Sequence, residues 1–205
     1  RQRLWYIRAK ETILSTGSIE RPIVFGNNDT PGVVLSSAAK EYMKVYGVLV
    51  GRKPIIFTNN DSAYETAFEF KKNNIEPIIL DTREDHNSEV VREAKNKGIQ
   101  IKFSYGVIVA NGYKKVKSAK IGKLSKDKKS FEKIETVNCD CICVSGFWTP
   151  TVHLASQSGN KLKFDENIDA FIPDKSKQNE KTVGAANGNF TLQETIESGF
   201  KTGAE

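Results

Sequence analysis

No stretch of the 205-residue chain approaches the roughly 18 consecutive apolar residues that a membrane-spanning helix requires. The opening Arg1-Gln2-Arg3-Leu4-Trp5 also lacks the apolar stretch and cleavage site of a signal peptide. A soluble, cytoplasmic protein with no membrane partner is therefore the expectation. Histidine is scarce, with only His86 and His153, and no Ser/His/Asp or Cys/His arrangement emerges for nucleophilic catalysis. His153, beside Leu154, reads as a hydrogen-bonded structural histidine, and Trp5 and Trp148 read as packing residues rather than cofactor partners. The three cysteines contain no Cys-x-x-Cys, and neither histidine supplies a further ligand nearby, so a metal site lacks its residues. Cys139, Cys141 and Cys143 instead alternate along one apolar run, which predicts a strand with all three side chains on one buried face.

What is present is globular: 38% of the residues are hydrophobic, enough for one large or two small domains. The net charge of +6 is concentrated between Lys114 and Lys133, where nine lysines face only Asp127 and Glu132. Such a basic stretch could attract nucleic acid. It has no arginine, however, and its lysines alternate with Val116, Ala119, Ile121 and Leu124 as on a one-sided hairpin. A solvated, lysine-guarded hairpin edge is the better reading, and no nucleic-acid partner is expected.

Along the chain, Leu4 to Lys10 and Thr12 to Leu14 read as strands, the second closed by Ser15-Thr16-Gly17. Because this opening falls in mid-sheet, with no strand, glycine loop and helix before it, the natural polypeptide is expected to begin before Arg1. Ser36 to Tyr46 has helical spacing and stops at Gly47. Strand, helix and strand then follow at Pro54 to Phe57, Asp61 to Asn73 and Pro77 to Asp81, an order that implies parallel pairing. A helix from Glu89 to Lys97 and a strand from Ile99 to Phe103 continue the pattern. Val107 to Val109, Tyr113 to Ile121 and Phe131 to Val137 read as an antiparallel meander, followed by the strand Cys139 to Val144 and the turn Ser145-Gly146. The last third is less regular until a strand near Thr182 and a helix from Thr191 to Ser198.

Two turns, Thr16-Gly17 and Ser145-Gly146, each close an apolar strand and precede a proline, Pro22 and Pro150. A small residue and glycine at a strand end let the backbone pass close beneath a nucleotide or a neighbouring loop. Between them, Pro54 to Asp81 has the layout of a dinucleotide-binding βαβ unit, with Asp81 at the acidic position. Its loop departs from the motif, because Thr58-Asn59-Asn60-Asp61-Ser62-Ala63 stands where glycines should admit a pyrophosphate. Only the third small position, Ala63, survives, and Asp61 adds negative charge where phosphate would sit. This inner unit is expected to keep the fold without the ligand.

Several segments resemble the alpha subunit of heterotetrameric sarcosine oxidase. They are Gly17-Ser18-Ile19-Glu20-Arg21-Pro22, Asn28-Asp29-Thr30-Pro31-Gly32, Asn59-Asn60-Asp61-Ser62-Ala63-Tyr64, Gly146-Phe147-Trp148-Thr149-Pro150, Ser156-Gln157-Ser158-Gly159 and Gly184-Ala185-Ala186-Asn187-Gly188. The resemblance implies an α/β chain built from two nested, Rossmann-like dinucleotide-binding domains of the pyridine nucleotide-disulfide oxidoreductase type. The incomplete outer domain would comprise residues 1–47 and 151–205, and the degenerate inner domain, with its meander, residues 48–150.

The implied activity is oxidative demethylation of sarcosine by a complex with beta, gamma and delta subunits, with tetrahydrofolate accepting the one-carbon unit. FAD and FMN would lie elsewhere in that complex, and NAD in the alpha chain. The family's pattern carries the NAD site onto Thr16 and Gly17, onto Gly184, Ala185, Ala186, Asn187 and Gly188, and onto Phe190, Thr191 and Leu192. Free amides near Asn189 to Leu192, where the glycine-rich turn opens a helix, would suit an anion. The family's N-terminal glycine loop, folate domain and flavin machinery have no counterpart here, so this chain alone is expected to be inactive. Related opine and cyanide-forming oxidases use similar alpha chains, and the Ser156 to Gly159 segment favours sarcosine. A free-standing flavin disulfide reductase would need an intact inner glycine loop and a Cys-x-x-Cys. A scaffold that binds no nucleotide is the other reading.

Overall fold

A computed structural model describes residues 2–204; Arg1 and Glu205 lie outside the described residues. The elements begin with β1 (Thr12–Leu14), β2 (Ser18–Glu20), β3 (Val33–Leu35) and α1 (Ser36–Lys44). Next come β4 (Pro54–Thr58), a 3-10 turn at Asp61–Ala63, α2 (Tyr64–Lys72), β5 (Ile78–Asp81), α3 (Glu89–Asn96) and β6 (Gln100–Phe103). β7 (Tyr105–Gly112), β8 (Val116–Leu124), β9 (Phe131–Asn138), β10 (Cys141–Ser145) and β11 (Trp148–Pro150) follow. The chain closes with α4 (His153–Gln157), β12 (Leu162–Asp165), β13 (Ala170–Pro173), β14 (Glu180–Thr182), a 3-10 turn at Gly184–Asn187 and α5 (Leu192–Ala204).

These elements form two compact units, Glu20–Phe147 and the two flanking segments Arg1–Ile19 with Trp148–Glu205. The nesting has the expected form, but the inserted unit begins at residue 20 rather than 48 and ends at 147 rather than 150. Its start is early because β3 pairs in parallel with β10, Val33 to Leu35 against Ile142 to Val144, so β3 and α1 belong to the inserted unit.

The inserted unit has three layers. Its central sheet is parallel throughout, in the order β3-β10-β4-β5-β6. Both faces are covered, which explains why β4 and β10 are buried at every residue and read as unbroken apolar runs. The period of two sorts their side chains: Ile56, Cys141 and Cys143 pack against Ala39 of α1, Phe70 of α2 and Val91 of α3. Ile55, Phe57, Ile142 and Val144 point the other way, onto Val107, Ala119 and Ile121 of the antiparallel meander β7-β8-β9. Full burial of each such aliphatic side chain contributes about 1.5–3 kcal/mol. On β8, Val116, Ala119 and Ile121 are buried while Lys117, Lys120 and Lys123 are exposed, the one-sided pattern expected of the lysine-rich stretch.

The flanking unit is built differently. β1 pairs in parallel with β14, β12 pairs with β13 in an antiparallel hairpin, and β2 is hydrogen-bonded to β11. Leu4 to Lys10, expected to be a strand, has no ladder partner among the described residues, and Leu4, Trp5, Tyr6 and Ile7 are 73–90% exposed. Trp5 is therefore not the packing residue its type suggests. α5 buries none of its residues, and Leu192, Ile196 and Phe200, spaced by four, form an exposed apolar stripe. Among the described residues no helix is long and apolar enough to cross a membrane.

The cysteines split between two layers. Cys141 and Cys143 share the helix side, their sulfurs 3.6 Å apart, whereas Cys139 packs on the meander side because β10 starts only at Cys141. Asp140 interrupts the run: its carboxylate accepts from the amides of Arg52 and Lys53 at 2.7–3.0 Å, which turns the backbone between Cys139 and Cys141. Burial pushes the Cys139 thiol up to about 12, and the Cys141 hydrogen bond together with burial holds Cys143 well above the ordinary thiol value. All three cysteines are buried, and the Cys139 and Cys143 thiols stay neutral in the folded chain. They are expected to resist an aromatic disulfide reagent at about pH 8 and to react together once denaturant unfolds the protein; one thiol reacting at a free-cysteine rate before unfolding would contradict this burial. Since the unfolded Cys139 ionises near 9 and the folded one near 12, its linkage makes stability fall as pH climbs through that window.

Candidate functional site

In open α/β sheets, ligands bind at the carboxyl ends of parallel strands. In the inserted unit, the loop leaving β4 at that end is occupied by its own side chains. Thr58 Oγ1 accepts from the Asn60 amide at 3.1 Å and donates to the Asn60 carbonyl at 3.0 Å. The Asn60 carboxamide donates to Ser145 Oγ and its carbonyl at 3.1 and 3.2 Å, while its oxygen accepts from the Ser62 amide and hydroxyl. Asn60 therefore cross-links the ends of β4 and β10 and caps the 3-10 turn with the group that a phosphate would replace.

The acidic position at the end of β5 is likewise engaged. Asp81 is fully buried and accepts from the Tyr64 hydroxyl at 2.9 Å, the Arg83 amide at 3.0 Å, and Arg83 Nε and Nη2 at 3.0 and 2.7 Å. The same Nη2 reaches Asp61 Oδ1 at 2.7 Å, and His86 Nε2 stands 3.5 Å from that oxygen. Burial works against the Arg83 charge, but the hydrogen bonds and charges of Asp81 and Asp61 hold its pKa above the ordinary arginine value. Burial and the adjacent Asp81 charge push the Tyr64 hydroxyl far upward, so it remains a donor. Burial also opposes the Asp61 charge, yet the hydrogen bond and charge of Arg83 hold its carboxyl below the usual range. A carboxylate that binds arginine and tyrosine has no free lone pair aimed at a ribose, and Asp61 projects negative charge where a pyrophosphate would approach. Both the loop after β4 and the acidic position after β5 are thus engaged by the protein's own groups.

The second glycine turn also has a structural explanation. A Cβ on Gly146 would stand 3.0–3.1 Å from the carbonyls of Pro22 and Arg21 and from Ile23, and the Gly146 amide donates to Arg21 O at 2.6 Å. The backbone here passes beneath a neighbouring loop.

In the flanking unit, parallel pairing of β1 with β14 sets Leu14 beside Thr182, and the Val183 amide donates to Leu14 O at 2.9 Å. The turns that follow, Thr16-Gly17 and Gly184 to Gly188, therefore leave the same end of one sheet although far apart in sequence. Gly17, Gly184 and Gly188 have φ of 72°, 65° and 84°, where side chains are strained, and a Cβ on Gly17 would meet nothing within 4 Å. Thr16 donates its hydroxyl to Thr151 O at 2.7 Å, and Gly17 O accepts from the Thr151 amide. Gly184 is pinned to α5, its amide donating to Ser198 Oγ at 3.3 Å.

The residues carried over from the resemblance do not all stand alike. Ala186 is fully buried, a packing position, whereas Ala185, Asn187, Gly188 and Phe190 are partly open. Thr191 and Leu192 are exposed at the start of α5. The expected free amides there are largely engaged. Asn189 N donates to Gly184 O, Thr191 N donates to Glu194 Oε2 at 3.1 Å, and Glu194 N donates to Thr191 Oγ1 at 3.2 Å. This reciprocal capping box places the protein's own carboxylate at the helix start. The Thr191 hydroxyl and amide hold the Glu194 carboxyl below its ordinary range.

Ser158 serves structure: its hydroxyl donates to Glu180 at 2.6 Å and so ties α4 to β14. His153 is exposed at the first residue of α4, with no hydrogen bond found for its ring among the described residues, so the expected structural tether is missing. No metal-binding group of three or more His, Cys, Asp or Glu side chains occurs among the described residues.

The closed inner site predicts a measurable coupling. Arg83→Met should lose about 3 kcal/mol in urea unfolding, because Asp81 keeps its buried charge without a counterion. The double variant Asp81→Asn/Arg83→Met should recover most of that loss; a single-variant loss below about 1 kcal/mol would contradict the network. Because the folded state favours ionised Asp61, its stabilisation is in place above the unfolded value near 3.8 and disappears as pH falls below it.

No protein-family model matches the chain. Among curated proteins, it is 34% identical over 207 residues to the sarcosine oxidase subunit alpha of Corynebacterium sp. strain P-1, a match covering all of this chain and 21% of that one. It is 32% identical over 192 residues to the sarcosine oxidase subunit alpha of Rhizobium meliloti strain 1021, covering 90% of this chain and 18% of the relative. The chain thus spans about a fifth of the length of these curated relatives. Among solved structures, the thioredoxin reductase of T. acidophilum superposes with a TM-score of 0.75 at 19% identity, covering 96% of this chain and 64% of that one. The thioredoxin reductase of Lactococcus lactis gives 0.69 at 15% identity, covering 93% and 62%. At these identities the likeness establishes the fold, the nested Rossmann-type arrangement of the pyridine nucleotide-disulfide oxidoreductases. Over nearly its whole length the chain is similar to one part of the sarcosine oxidase alpha subunits, and its fold is thioredoxin reductase-like.

Proposed function

We propose that this chain is the part of a sarcosine oxidase-type alpha subunit that contributes one wall of an NAD site and a scaffold, with the catalytic flavin chemistry located elsewhere. The observation that carries this reading is the parallel register of β1 and β14, which brings the Thr16-Gly17 and Gly184 to Gly188 turns to the same carboxyl end of a sheet. The main chain of Gly17, Gly184 and Gly188, with positive φ at each, offers the close backbone approach that a dinucleotide needs. Asn187 lies within the second turn, and Phe190 follows it. The closed loop of the inserted unit supports the assignment by exclusion, since its anion position is taken by Asp61 and Asn60.

The reaction of the whole assembly is, on this reading, oxidative demethylation of sarcosine linked to tetrahydrofolate, with FAD and FMN outside this chain and beta, gamma and delta subunits as partners. On this reading the chain alone does not turn over sarcosine, since the flavins lie outside it. The exposed apolar groups of the flanking unit fit a surface that the longer subunit covers.

Glu194 at the start of α5 favours a second reading, a scaffold that binds no nucleotide. Mass spectrometry of small molecules released by denaturing the natural alpha chain purified with its partner subunits separates the two. Stoichiometric NAD alongside flavin is expected; flavin without NAD would leave the scaffold reading in its place.

A further inference from the structure

The inserted unit closes its ligand crevice only on the β4 side. On the β5–β6 side of the same strand ends, a cavity of about 250 Å³ opens beside Thr82, which follows β5, and Ser104, which follows β6. Its remaining wall comes from the far end of β8 and the turn into β9, where Lys123, Lys126 and Lys128 all line it. The wall is held by main-chain hydrogen bonds: Ser104 N donates to Arg83 O at 2.8 Å and Leu124 N to Ser104 O at 2.6 Å. Ser104 itself sits at φ 56° and Lys128 at φ 57°, unusual for side-chain-bearing residues.

The charges at this cavity are unbalanced. Among the described residues, none of the three lysine ammonium groups lies within 4 Å of a carboxylate. Asp127, the acid nearest in sequence, is engaged by Ser125 Oγ at 2.5 Å and the Lys129 amide at 3.1 Å. Glu132 stands opposite Lys123 in the ladder without forming an ion pair, and Glu84 is the single acid in the cavity wall. By contrast, Lys102 in the neighbouring strand is neutralised by Glu135. Three lysines without a carboxylate partner, lining one concave site together with Thr82 and Ser104, suit a compact ligand of at least two negative charges. The volume falls just below the roughly 300–1,000 Å³ of sites for drug-sized ligands, too small for a dinucleotide.

We propose that this cavity binds a small phosphorylated ligand, its phosphate held by Lys123, Lys126 and Lys128. The reading differs from that of a solvated hairpin edge, which fits Lys117 and Lys120 farther along β8. It is independent of NAD binding by the flanking unit.

The test is calorimetric titration of the protein with inorganic pyrophosphate at about 0.1 M ionic strength, where charges more than about 10 Å apart are largely screened. One saturable site is expected, weakened roughly tenfold or more in Lys123→Ala/Lys126→Ala/Lys128→Ala. A control variant of equal charge change, Lys114→Ala/Lys115→Ala/Lys117→Ala, alters the opposite end of β8 roughly 25 Å away and should bind within about twofold of the native protein. All six side chains are exposed, so both variants should fold, which an unchanged melting temperature confirms. Equal weakening in the two variants, or no saturable binding by the native protein, would overturn the proposal. So would tighter binding of a short single-stranded oligonucleotide than of pyrophosphate, since the surface would then be a nucleic-acid patch.

Discussion

The inserted unit depends on β10. This strand is laid between β3 and β4, parallel to both, and every one of its five residues is buried. Its alternate side chains fill both interlayer spaces at once, Cys141 and Cys143 under the helices and Ile142 and Val144 over the meander. The residues from Asn59 to Asp140, including the whole meander, must return to a gap that their own predecessors define, so closure of the sheet is a long-range event with a corresponding entropy cost. Asp140 aims the strand into that gap through the Arg52 and Lys53 amides, and Asn60 fastens its far end at Ser145. The loop that would hold a nucleotide in related folds is thereby recruited to hold the sheet.

The same economy recurs where helices begin. Backbone amides at a helix start attract an anion, and in many α/β proteins that anion is a phosphate. Here the protein provides carboxylates. Glu20 accepts from the Ser37 amide and hydroxyl at 2.8 and 2.6 Å at the start of α1. Asp61 lies in the 3-10 turn that leads into α2, held by Arg83, and Glu194 caps α5. Each substitution stabilises the folded state while removing an anion site. What remains for a nucleotide is the backbone of turns at strand ends, and in the flanking unit two such turns converge.

Much of the fold was legible because its signals are local. The helical spacing of Ser36 to Tyr46, the strand-helix-strand order from Pro54 to Asp81, and the alternation along β8 each depend on neighbours within a few residues. The missing glycines at Thr58 to Ser62 leave room for side chains that hydrogen-bond within the loop, as those of Thr58 and Asn60 do. That Arg83 would seal the site needed the fold, since only the pairing of β4 with β5 brings Asp61 near it. Leu4 to Ile7 misled because an apolar run reveals nothing of whether a ladder partner exists. Cys139 misled because periodicity continues on paper through Asp140, whereas the chain turns there. Val33 to Leu35 was assigned to the outer domain because a three-residue strand carries little pattern of its own. The engaged amides at α5 were readable in principle, since Thr191-x-x-Glu194 spells a capping box.

The central claim is a division of labour: strand-end turns of the flanking unit for a dinucleotide, and an inserted unit whose own loop is closed. A crystal structure of the natural alpha chain with its partner subunits, grown with saturating NAD, tests it most directly. Density for the dinucleotide against Gly17 and the Gly184 to Gly188 turn, with Arg83 still bridging Asp61 and Asp81, is the predicted result. Density against Asn59 to Ala63, with Arg83 displaced from Asp81, would contradict the account.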